Sequence, residues 1–313
     1  MFAGAMLVAL AVDAVLGWPD RIYRRIGHPV TWLGAAITWA DQHLNLDEDA
    51  FWLRRLKGLE VCLGVTALAA LLAQLVVWVL PNGPWGGILT GVFAWPLVAG
   101  RSLYDHVLRV AKPLGRSDLP GARAAVAMIV GRDPQRLDSA GVARAALESL
   151  AENTSDGVVA PLFWGVLFGL PGIAAYKAIN TMDSMIGHMA PRHRAFGWAA
   201  ARLDDLVNLV PARLTALLFV VVAGVNRKPA LQVMIADAGH HRSPNAGWPE
   251  AALAGALAIR LSGPRAYDGI FTSEPWVNEG APDPGAIDLA RGLTLYLAAM
   301  LALAALIAMV ALL

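Results

Sequence analysis

The most constraining feature of this 313-residue sequence is a run of forty residues, 61–100, without a single charged side chain. A helix needs about 20 predominantly apolar residues to cross the hydrocarbon core of a bilayer, so the run predicts two membrane spans. Pro81-Asn82-Gly83-Pro84 lies midway and predicts the turn between them, because proline and glycine interrupt helices. The sequence therefore predicts a membrane protein.

Four other apolar segments extend this prediction. Residues 293–313 are uncharged and predict a further span, and residues 1–16 predict another, which lacks the basic leader of a signal peptide. Residues 158–176 and 206–226 are ambiguous, because prolines, glycines or an arginine interrupt them, so each either spans, re-enters or is a buried helix. We expect an all-α, polytopic integral membrane protein with about four spans plus these two segments, forming one domain over 1–313.

Composition agrees with the membrane assignment and limits the partners. Apolar residues make up 57% of the chain, and charged residues make up 16%, against about 25% in an ordinary soluble domain. Lys and Arg number 25 against 24 Asp and Glu, for a net charge of +1. Such a balance provides no overall field to attract nucleic acid, so we expect the bilayer and small molecules as partners, and no nucleic acid.

Basic residues predict the orientation, because Lys and Arg favour the cytoplasmic side. Residues 17–60 hold six of them and residues 101–157 hold eight, whereas the 81–85 turn holds none. Both basic segments are therefore predicted inside, with the turn and the N-terminus outside. If neither ambiguous segment crosses, 101–291 is a cytoplasmic lobe with 19 of the 25 basic residues; if both cross, 177–205 lies outside. The basic count favours the lobe.

The first polar cluster occupies residues 148–157. Glu148 and Glu152 are four residues apart and share a helix face. Asn153-Thr154-Ser155-Asp156-Gly157 predicts a break that opens a new helix, whose unpaired N–H groups would bind an anion. The alternative is a solvated Arg144–Glu148 ion pair followed by an ordinary helix cap.

The second polar cluster occupies residues 176–188. On a helix, Lys177, Asn180 and Ser184 share one stripe with Gly187, and Asp183 lies beside it. Such groups at the edge of an apolar element are costly unless partnered, which favours a functional site over an internally satisfied polar seam. His188 and His193 are flanked by arginines and are interpreted as surface residues rather than metal ligands.

Two further clusters follow. Asp204 and Asp205, with Asn208, suit a hard cation such as Mg²⁺, although acids near a helix start also serve as caps. Ser243-Pro244-Asn245-Ala246-Gly247 precedes a predicted helix start and indicates either a place where backbone approaches a ligand or a plain turn.

These clusters occur in an order that resembles the adenosylcobinamide-phosphate synthase family, the membrane proteins of cobalamin biosynthesis. The matching segments are Asp13-x-x-x-Gly17-Trp18-Pro19, His28-Pro29-Val30, and residues 151–157, 180–187, 203–206, 211–214 and 243–247. The resemblance implies an ATP-dependent amide ligase in the cell (inner) membrane. Its implied reaction joins adenosylcobyric acid to (R)-1-aminopropan-2-ol or its O-phosphate, giving adenosylcobinamide or its phosphate.

Within that reaction we assign roles from residue chemistry. The assigned residues are Glu152 (base for the amine), Asp183 and Lys177 as catalytic groups; Asn153, Thr154, Ser155, Asn180, Ser184, Arg213, Ser243 and Asn245 as substrate or nucleotide contacts; and Asp156, Asp183, Asp204 and Asp205 as Mg²⁺ ligands. ATP is the expected co-substrate, the active site is expected on the cytoplasmic side, and a homo-oligomer or association with other enzymes of the pathway is expected.

Two other classes of function remain open. Helices broken by polar residues also form substrate sites in transporters, although this chain has no two similar halves of paired spans. A non-catalytic membrane scaffold is the third hypothesis.

Overall fold

The computed structural model of the protein describes residues 2–130, 134–267, 270–272 and 274–313. Its helices are α1 (Phe2–Leu16), α2 (Asp20–Ile26), α3 (Pro29–Leu44), α4 (Phe51–Val79), α5 (Pro84–Ala94), α6 (Gly100–Leu114), α7 (Leu119–Val126), α8 (Ser139–Thr154), α9 (Ala160–Ile186), α10 (His193–Phe196), α11 (Trp198–Val207), α12 (Leu209–Val222), α13 (Arg227–Asp237), α14 (Gly247–Leu257) and α15 (Ala286–Leu312). Its strands are β1 (Leu261–Ser262), β2 (Arg265–Tyr267), β3 (Ile270–Thr272) and β4 (Trp276–Val277).

The predicted all-α membrane architecture is confirmed. Strands in the described part of the chain form only two short antiparallel pairs, β1 with β4 and β2 with β3. Among the residues that the structure describes, three helical stretches are long and apolar enough to span a bilayer: Phe51–Val79, Ser139–Ile186 and Ala286–Leu312. Two broken pairs raise the number of candidate spans to five: α1 with Asp20–Leu44, and α11 with α12.

The prediction of two spans within residues 61–100 is wrong for the second of them. α4 provides the first span, but α5 has only 11 residues and is therefore about 16 Å long at 1.5 Å per residue. It ends in a 3₁₀ turn, Trp95–Leu97, that contains Pro96. Uncharged composition alone does not make a span where proline interrupts the helix.

The predicted helix start after Asn153 is also wrong. α8 continues into a π-helical turn, Ser155–Val159, which leads directly into α9. The backbone N–H groups of this segment belong to a helix interior, so no free helix N-terminus is available there to bind an anion. The interruption lies further on, at Gly169, whose φ of +67° suits a residue without a Cβ.

The chain divides into two compact units. The first contains residues 1–99, 160–208 and 306–313, and the second contains residues 100–159 and 209–305. In the first unit, α4 and α9 pack together around a core that includes Ile37, Cys62, Met182 and Phe196. In the second, α14 packs against α12 and α13, and α6 packs against α7 and α8. The single domain over 1–313 and the lobe 101–291 stay predictions.

Candidate functional site

The first unit contains a hydrogen-bonded polar cluster between α9 and α11. Asp204 Oδ2 accepts from Asn208 Nδ2 at 2.9 Å, and Asp204 Oδ1 accepts from Asn180 Nδ2 at 3.3 Å. The Tyr176 hydroxyl donates to Asn208 Oδ1 at 3.0 Å. Tyr176, Asp204 and Asn208 are buried, so their hydrogen bonds offset the cost of removing polar groups from water.

Asp183 lies at the edge of this cluster. Its carboxylate is close enough to that of Asp204 for the two charges to repel each other. Asp183 also explains why residue 187 is glycine, because a Cβ there would lie 2.0 Å from Asp183 Oδ1 and 2.7 Å from its carbonyl oxygen. The backbone of Gly187 thus leaves room for a half-buried acidic side chain.

The donor set at Asp183 and Asp204 fits Mg²⁺. This ion is commonly held by one or two carboxylates together with water and substrate phosphates. Two neighbouring acids provide carboxylates of this kind, while the amides of Asn180 and Asn208 contact Asp204 through their N–H groups. Within the described ranges no group of three or more His, Cys, Asp or Glu side chains is arranged to hold a metal ion. A site here would therefore depend on substrate oxygens to complete its coordination.

The other two predicted metal ligands have different surroundings. Asp205 Oδ2 accepts from Arg202 Nη1 at 3.0 Å in an ion pair at the surface of α11, because adjacent residues on a helix point in different directions. Asp156 lies in the π-helical turn and is half-buried in the second unit. The structure brings Asp183 and Asp204 together, and their joint use with Asp156 and Asp205 stays a prediction.

Lys177 and Ser184 share the predicted stripe of α9 but differ in environment. Lys177 is buried, and its charge acts on His28, which caps α3 by accepting from the Val30 N–H at 3.1 Å. The His28 ring meets Trp18 edge-on, with 4.9 Å between the centroids. Ser184 is exposed, and its hydroxyl donates to the Asn180 carbonyl oxygen at 2.9 Å.

In the second unit, two exposed residues precede the π-helical turn, and the residues of the turn itself are buried or half-buried. Glu152 and Asn153 are exposed, and Asn153 Nδ2 donates to the Ser149 carbonyl oxygen at 3.0 Å. Thr154 is buried and donates to the Leu150 carbonyl oxygen. Ser155 Oγ is also buried and makes no hydrogen bond within the part of the chain that the structure describes. Single π-helical turns inside α-helices are frequent at functional sites.

Arg213 lies at the centre of another group of polar contacts in the second unit. Its Nη1 donates to the Leu209 carbonyl oxygen at 2.7 Å and lies 3.5 Å from Asn245 Oδ1. Its guanidinium group stacks over Trp248, 4.5 Å from the ring centroid. α12, which carries Arg213, also packs against the π-helical turn. An arginine held flat in this way is suited to a phosphate.

The segment before α14 is a structured cap. Ser243 Oγ accepts from the N–H groups of Asn245 and Ala246 at 3.2 and 3.3 Å. Gly247 permits the close approach of this segment to α13 and its following turn, because a Cβ would lie 2.2 Å from the Ala238 carbonyl oxygen. The predicted motif of residues 243–247 therefore positions Asn245 beside Arg213.

Several residues of these clusters were missed at the level of sequence. Tyr176 is four residues before Asn180 on α9, so helical spacing could have identified it. Trp248 gave no such signal, because its partner Arg213 is distant in sequence. Glu148 has a structural contact that the sequence did not indicate: its Oε1 accepts from the Ser262 N–H at 2.8 Å.

An apolar pocket of about 320 Å³ adjoins the polar cluster of the first unit. Trp164, Phe168, Tyr176 and Val207 are among its lining residues. Trp164 and Phe168 stack with 5.8 Å between their ring centroids, and Trp164 Nε1 donates to the Val207 carbonyl oxygen at 3.0 Å. The pocket is at the lower limit of typical small-molecule sites.

Comparison with known proteins identifies the family. The CobD/Cbib protein family matches residues 6–296. The chain belongs to this family. The cobalamin biosynthesis protein CobD of Rhodobacter capsulatus is 60% identical over 313 residues, covering all of this chain and 98% of that protein. The proteins of the same name from Rhizobium meliloti and Brucella suis are 49% and 45% identical over 304 and 300 residues, each covering 94% of this chain and 92% of the relative.

The family match includes every candidate residue of both units and confirms the resemblance found in the sequence. No solved structure matches this chain.

Proposed function

We propose that the protein is an ATP-dependent amide ligase of cobalamin biosynthesis. Its substrates would be adenosylcobyric acid and (R)-1-aminopropan-2-ol or the O-phosphate of that amine. The full-length match to relatives named as cobalamin biosynthesis proteins carries the proposal. The polar clusters within apolar helices support an enzyme that works at the membrane.

The reaction requires activation of a carboxylate. A carboxylate is a poor electrophile, but transfer of a phosphoryl group from ATP would convert it into an acyl phosphate, which an amine can attack with loss of phosphate. Catalysis of this kind depends mainly on positioning the reactants and on neutralising phosphate charge. Arg213 and several carboxylates within the matched motifs, together with the nearby Lys177, supply side chains of the required types.

The proposed roles follow the chemistry of each side chain. Asp183 and Asp204 would hold Mg²⁺, which when bound offsets the charge of the triphosphate. Lys177 and Arg213 are proposed to contact phosphate oxygens, and Glu152 is proposed to act on the incoming amine. The amides of Asn153, Asn180 and Asn245 match the amide side chains that a corrinoid presents as hydrogen-bonding partners.

A direct assay tests the reaction. The purified protein in lipid nanodiscs is mixed with ATP, Mg²⁺, adenosylcobyric acid and either form of the amine, and the amide product is measured by mass spectrometry together with ADP and phosphate. Equal amounts of amide and ADP are expected. Absence of amide with both amines would contradict the proposal, and flux of a corrinoid into vesicles without hydrolysis of ATP would favour a transporter.

We also propose an inner-membrane location with the active site on the cytoplasmic side. Single cysteines at positions 190 and 280, in a variant with Cys62 replaced, would report the side of the membrane through labelling by an impermeant reagent. Both positions should react from the cytoplasmic side. Labelling of position 190 from the opposite side would contradict this orientation.

A further inference from the structure

Three titratable side chains of the first unit form a row of close contacts separate from the hydrogen bonds around Asp204. They are Asp41 near the end of α3, His193 at the start of α10, and His188 in the segment between α9 and α10. His193 Nδ1 lies 3.0 Å from His188 Nε2, and His193 Nε2 lies 3.3 Å from Asp41 Oδ1. A distance of 3.0 Å between ring nitrogens is that of a hydrogen bond, so these atoms face each other rather than a metal ion.

Asp41 is held in place by two further donors. Asn45 Nδ2 donates to Asp41 Oδ1 at 2.6 Å, and Arg192 Nε donates to Asp41 Oδ2 at 3.0 Å. Arg54 of α4 completes the network by donating to Asn45 Oδ1 at 2.7 Å and to the Arg192 carbonyl oxygen at 2.6 Å. With donors on both oxygens, Asp41 acts as an ionised acceptor whose orientation is fixed.

The contacts favour one protonation pattern of the two imidazoles. His193 Nε2 makes no hydrogen bond within the described part of the chain, but it faces Asp41 Oδ1 at 3.3 Å, and the negative charge of Asp41 favours a proton on that nitrogen. With the proton there, His193 Nδ1 accepts a hydrogen bond from His188 Nε2 at 3.0 Å. His188 then has its lone pair on Nδ1. Partial burial, and after it the charge of His193, lower the pKa of His188 below its ordinary value, while the charge of Asp41 acts in the opposite direction. At neutral pH, His188 is therefore able to accept a proton.

His188 lies directly after one of the matched motifs, residues 180–187. His188 follows Gly187, whose N–H donates to the Asp183 carbonyl oxygen at 2.7 Å at the end of α9. His188 is exposed, whereas the side chain of His193 retains only 14% of its accessible surface. His188, the proton acceptor, is thus accessible to solvent, and His193 and Asp41, which orient it, are largely buried.

We propose that His188 Nδ1 is the general base of the ligase reaction and that His193 and Asp41 are positioning residues. This inference rests on the proposed function. The amine nitrogen forms a bond to the carbonyl carbon of the acyl phosphate while the C–O bond to the phosphate breaks, and phosphate leaves with the electron pair. The nitrogen loses its proton to His188 Nδ1, and the nearby negative charge of Asp41 offsets the resulting imidazolium charge.

Imidazole suits this step better than an exposed carboxylate, because a base is most effective when its pKa lies near the working pH. Among the described residues, charged groups near the two histidines include Arg192 and Arg194, which neighbour His193 in sequence, and Arg54 of α4, whose Nη1 lies 3.6 Å from Asp47 Oδ1.

The test compares four variants for amide formation between pH 5.5 and pH 9: His188→Gln, His193→Gln, Asp41→Asn and the control His43→Gln. His43 is also on α3, but its ring bonds only to the Trp39 carbonyl oxygen among the contacts described. His188→Gln should lower kcat by about 10²-fold or more and remove the loss of rate at acid pH, with KM for ATP unchanged. His193→Gln and Asp41→Asn should lower kcat by roughly tenfold, and Asp41→Asn should move the acid limb to lower pH. His43→Gln should resemble the wild type.

If folded His188→Gln still forms amide with the kcat and pH profile of the wild type, His188 is not the general base. The proposed ligase function would be unaffected by that result. If the wild type forms no amide, the function fails, and a second measurement tests the roles of the three residues. Diethyl pyrocarbonate acylates neutral imidazole, so its reaction with His188 can be followed against pH by peptide mass spectrometry. The pH at which half of His188 is acylated should be lower in Asp41→Asn than in the wild type and unchanged in His43→Gln. The same midpoint pH in the wild type and both variants would contradict the proposed roles of His188, His193 and Asp41.

Discussion

Helix α4 and the helical stretch Ser139–Ile186 are similar in sequence character and different in surroundings. Both contain an apolar window long enough to span a bilayer, but 17% of that window is buried inside the protein in α4, against 50% in Ser139–Ile186. The exposed side chains of α4 include Leu63, Leu71 and Trp78, which we expect to face lipid.

The difference shows where a membrane protein can place polar chemistry. Polar groups within an apolar helix are tolerated where neighbouring protein satisfies them. The stretch Ser139–Ile186 has such neighbours and carries two of the matched motifs, whereas residues 61–79 of α4 carry no charge. Apolar composition is thus shared by a helix that supports the fold and a helical stretch that carries residues of the candidate site.

The largest expected effect contrasts a polar residue of α9 with an exposed residue of α4. Asp183→Asn keeps the shape of the side chain and removes its charge, so kcat/KM for amide formation should fall by about 10²-fold or more. Leu63→Ala on α4 should change the rate by less than about twofold, because Leu63 is exposed. An Asp183→Asn variant that folds normally and keeps full turnover would remove Asp183 from the proposed site.

The next largest expected effect is a difference in stability between substitutions at two glycines of α4, one that contacts protein and one that does not. A Cβ at Gly58 would lie 1.9 Å from the Phe196 carbonyl oxygen, whereas a Cβ at Gly64 would meet nothing within 4 Å. Gly58→Ala should destabilise the protein by about 1–3 kcal/mol. Gly64→Ala should be neutral or stabilise it by about 0.5–1 kcal/mol. Thermal unfolding in detergent measures both, and similar melting temperatures would contradict the packing described.

A smaller effect separates two glutamates on successive turns of α8. Glu148→Ala leaves the buried Ser262 N–H without its acceptor, which should cost about 1–2 kcal/mol of unfolding free energy. Glu152→Ala removes an exposed side chain and should change stability by less than about 0.5 kcal/mol while lowering amide formation. Equal losses of stability in the two variants would show that the Glu148 contact contributes nothing.

The smallest expected effect on stability involves Asp283, which follows the strands and forms ion pairs with Arg144 of α8 and with Arg260. Arg260, and after it Arg144 of α8, hold the pKa of the Asp283 carboxyl below its ordinary value of 3.8. Because the folded state lowers this pKa, the stabilisation is present above about pH 4 and is lost as pH falls further. The ion pair of Asp283 with Arg260 is exposed to solvent, so we expect only a small contribution to stability.

Asp283→Asn should therefore lower the melting temperature slightly at pH 7, and the difference from the wild type should disappear in acid. A difference that stays constant from pH 7 to pH 3 would contradict the role of the charge.

Much of the fold could be predicted from local sequence, because hydropathy is a property of neighbouring residues. The apolar runs predicted α4 and α15, and proline and glycine predicted the turn before α5. Local signals failed where a proline shortened a helix, as in α5, and where a helix absorbed polar residues without ending, as at Ser155–Val159. The extra residue of a π-helical turn depends on packing around it and has no distinct sequence pattern.

By itself, the sequence determined that this chain is a helical membrane protein of the CobD/Cbib family, because composition and the order of motifs are properties of the linear sequence and do not depend on folding. Tertiary structure alone decided the partners: Asp204 with Asn180, Glu148 with Ser262 across 114 residues, and Arg192 with Asp41 across 151. Hydrogen bonds and ion pairs act over a few ångströms, so only packing determines which distant residues come within their range.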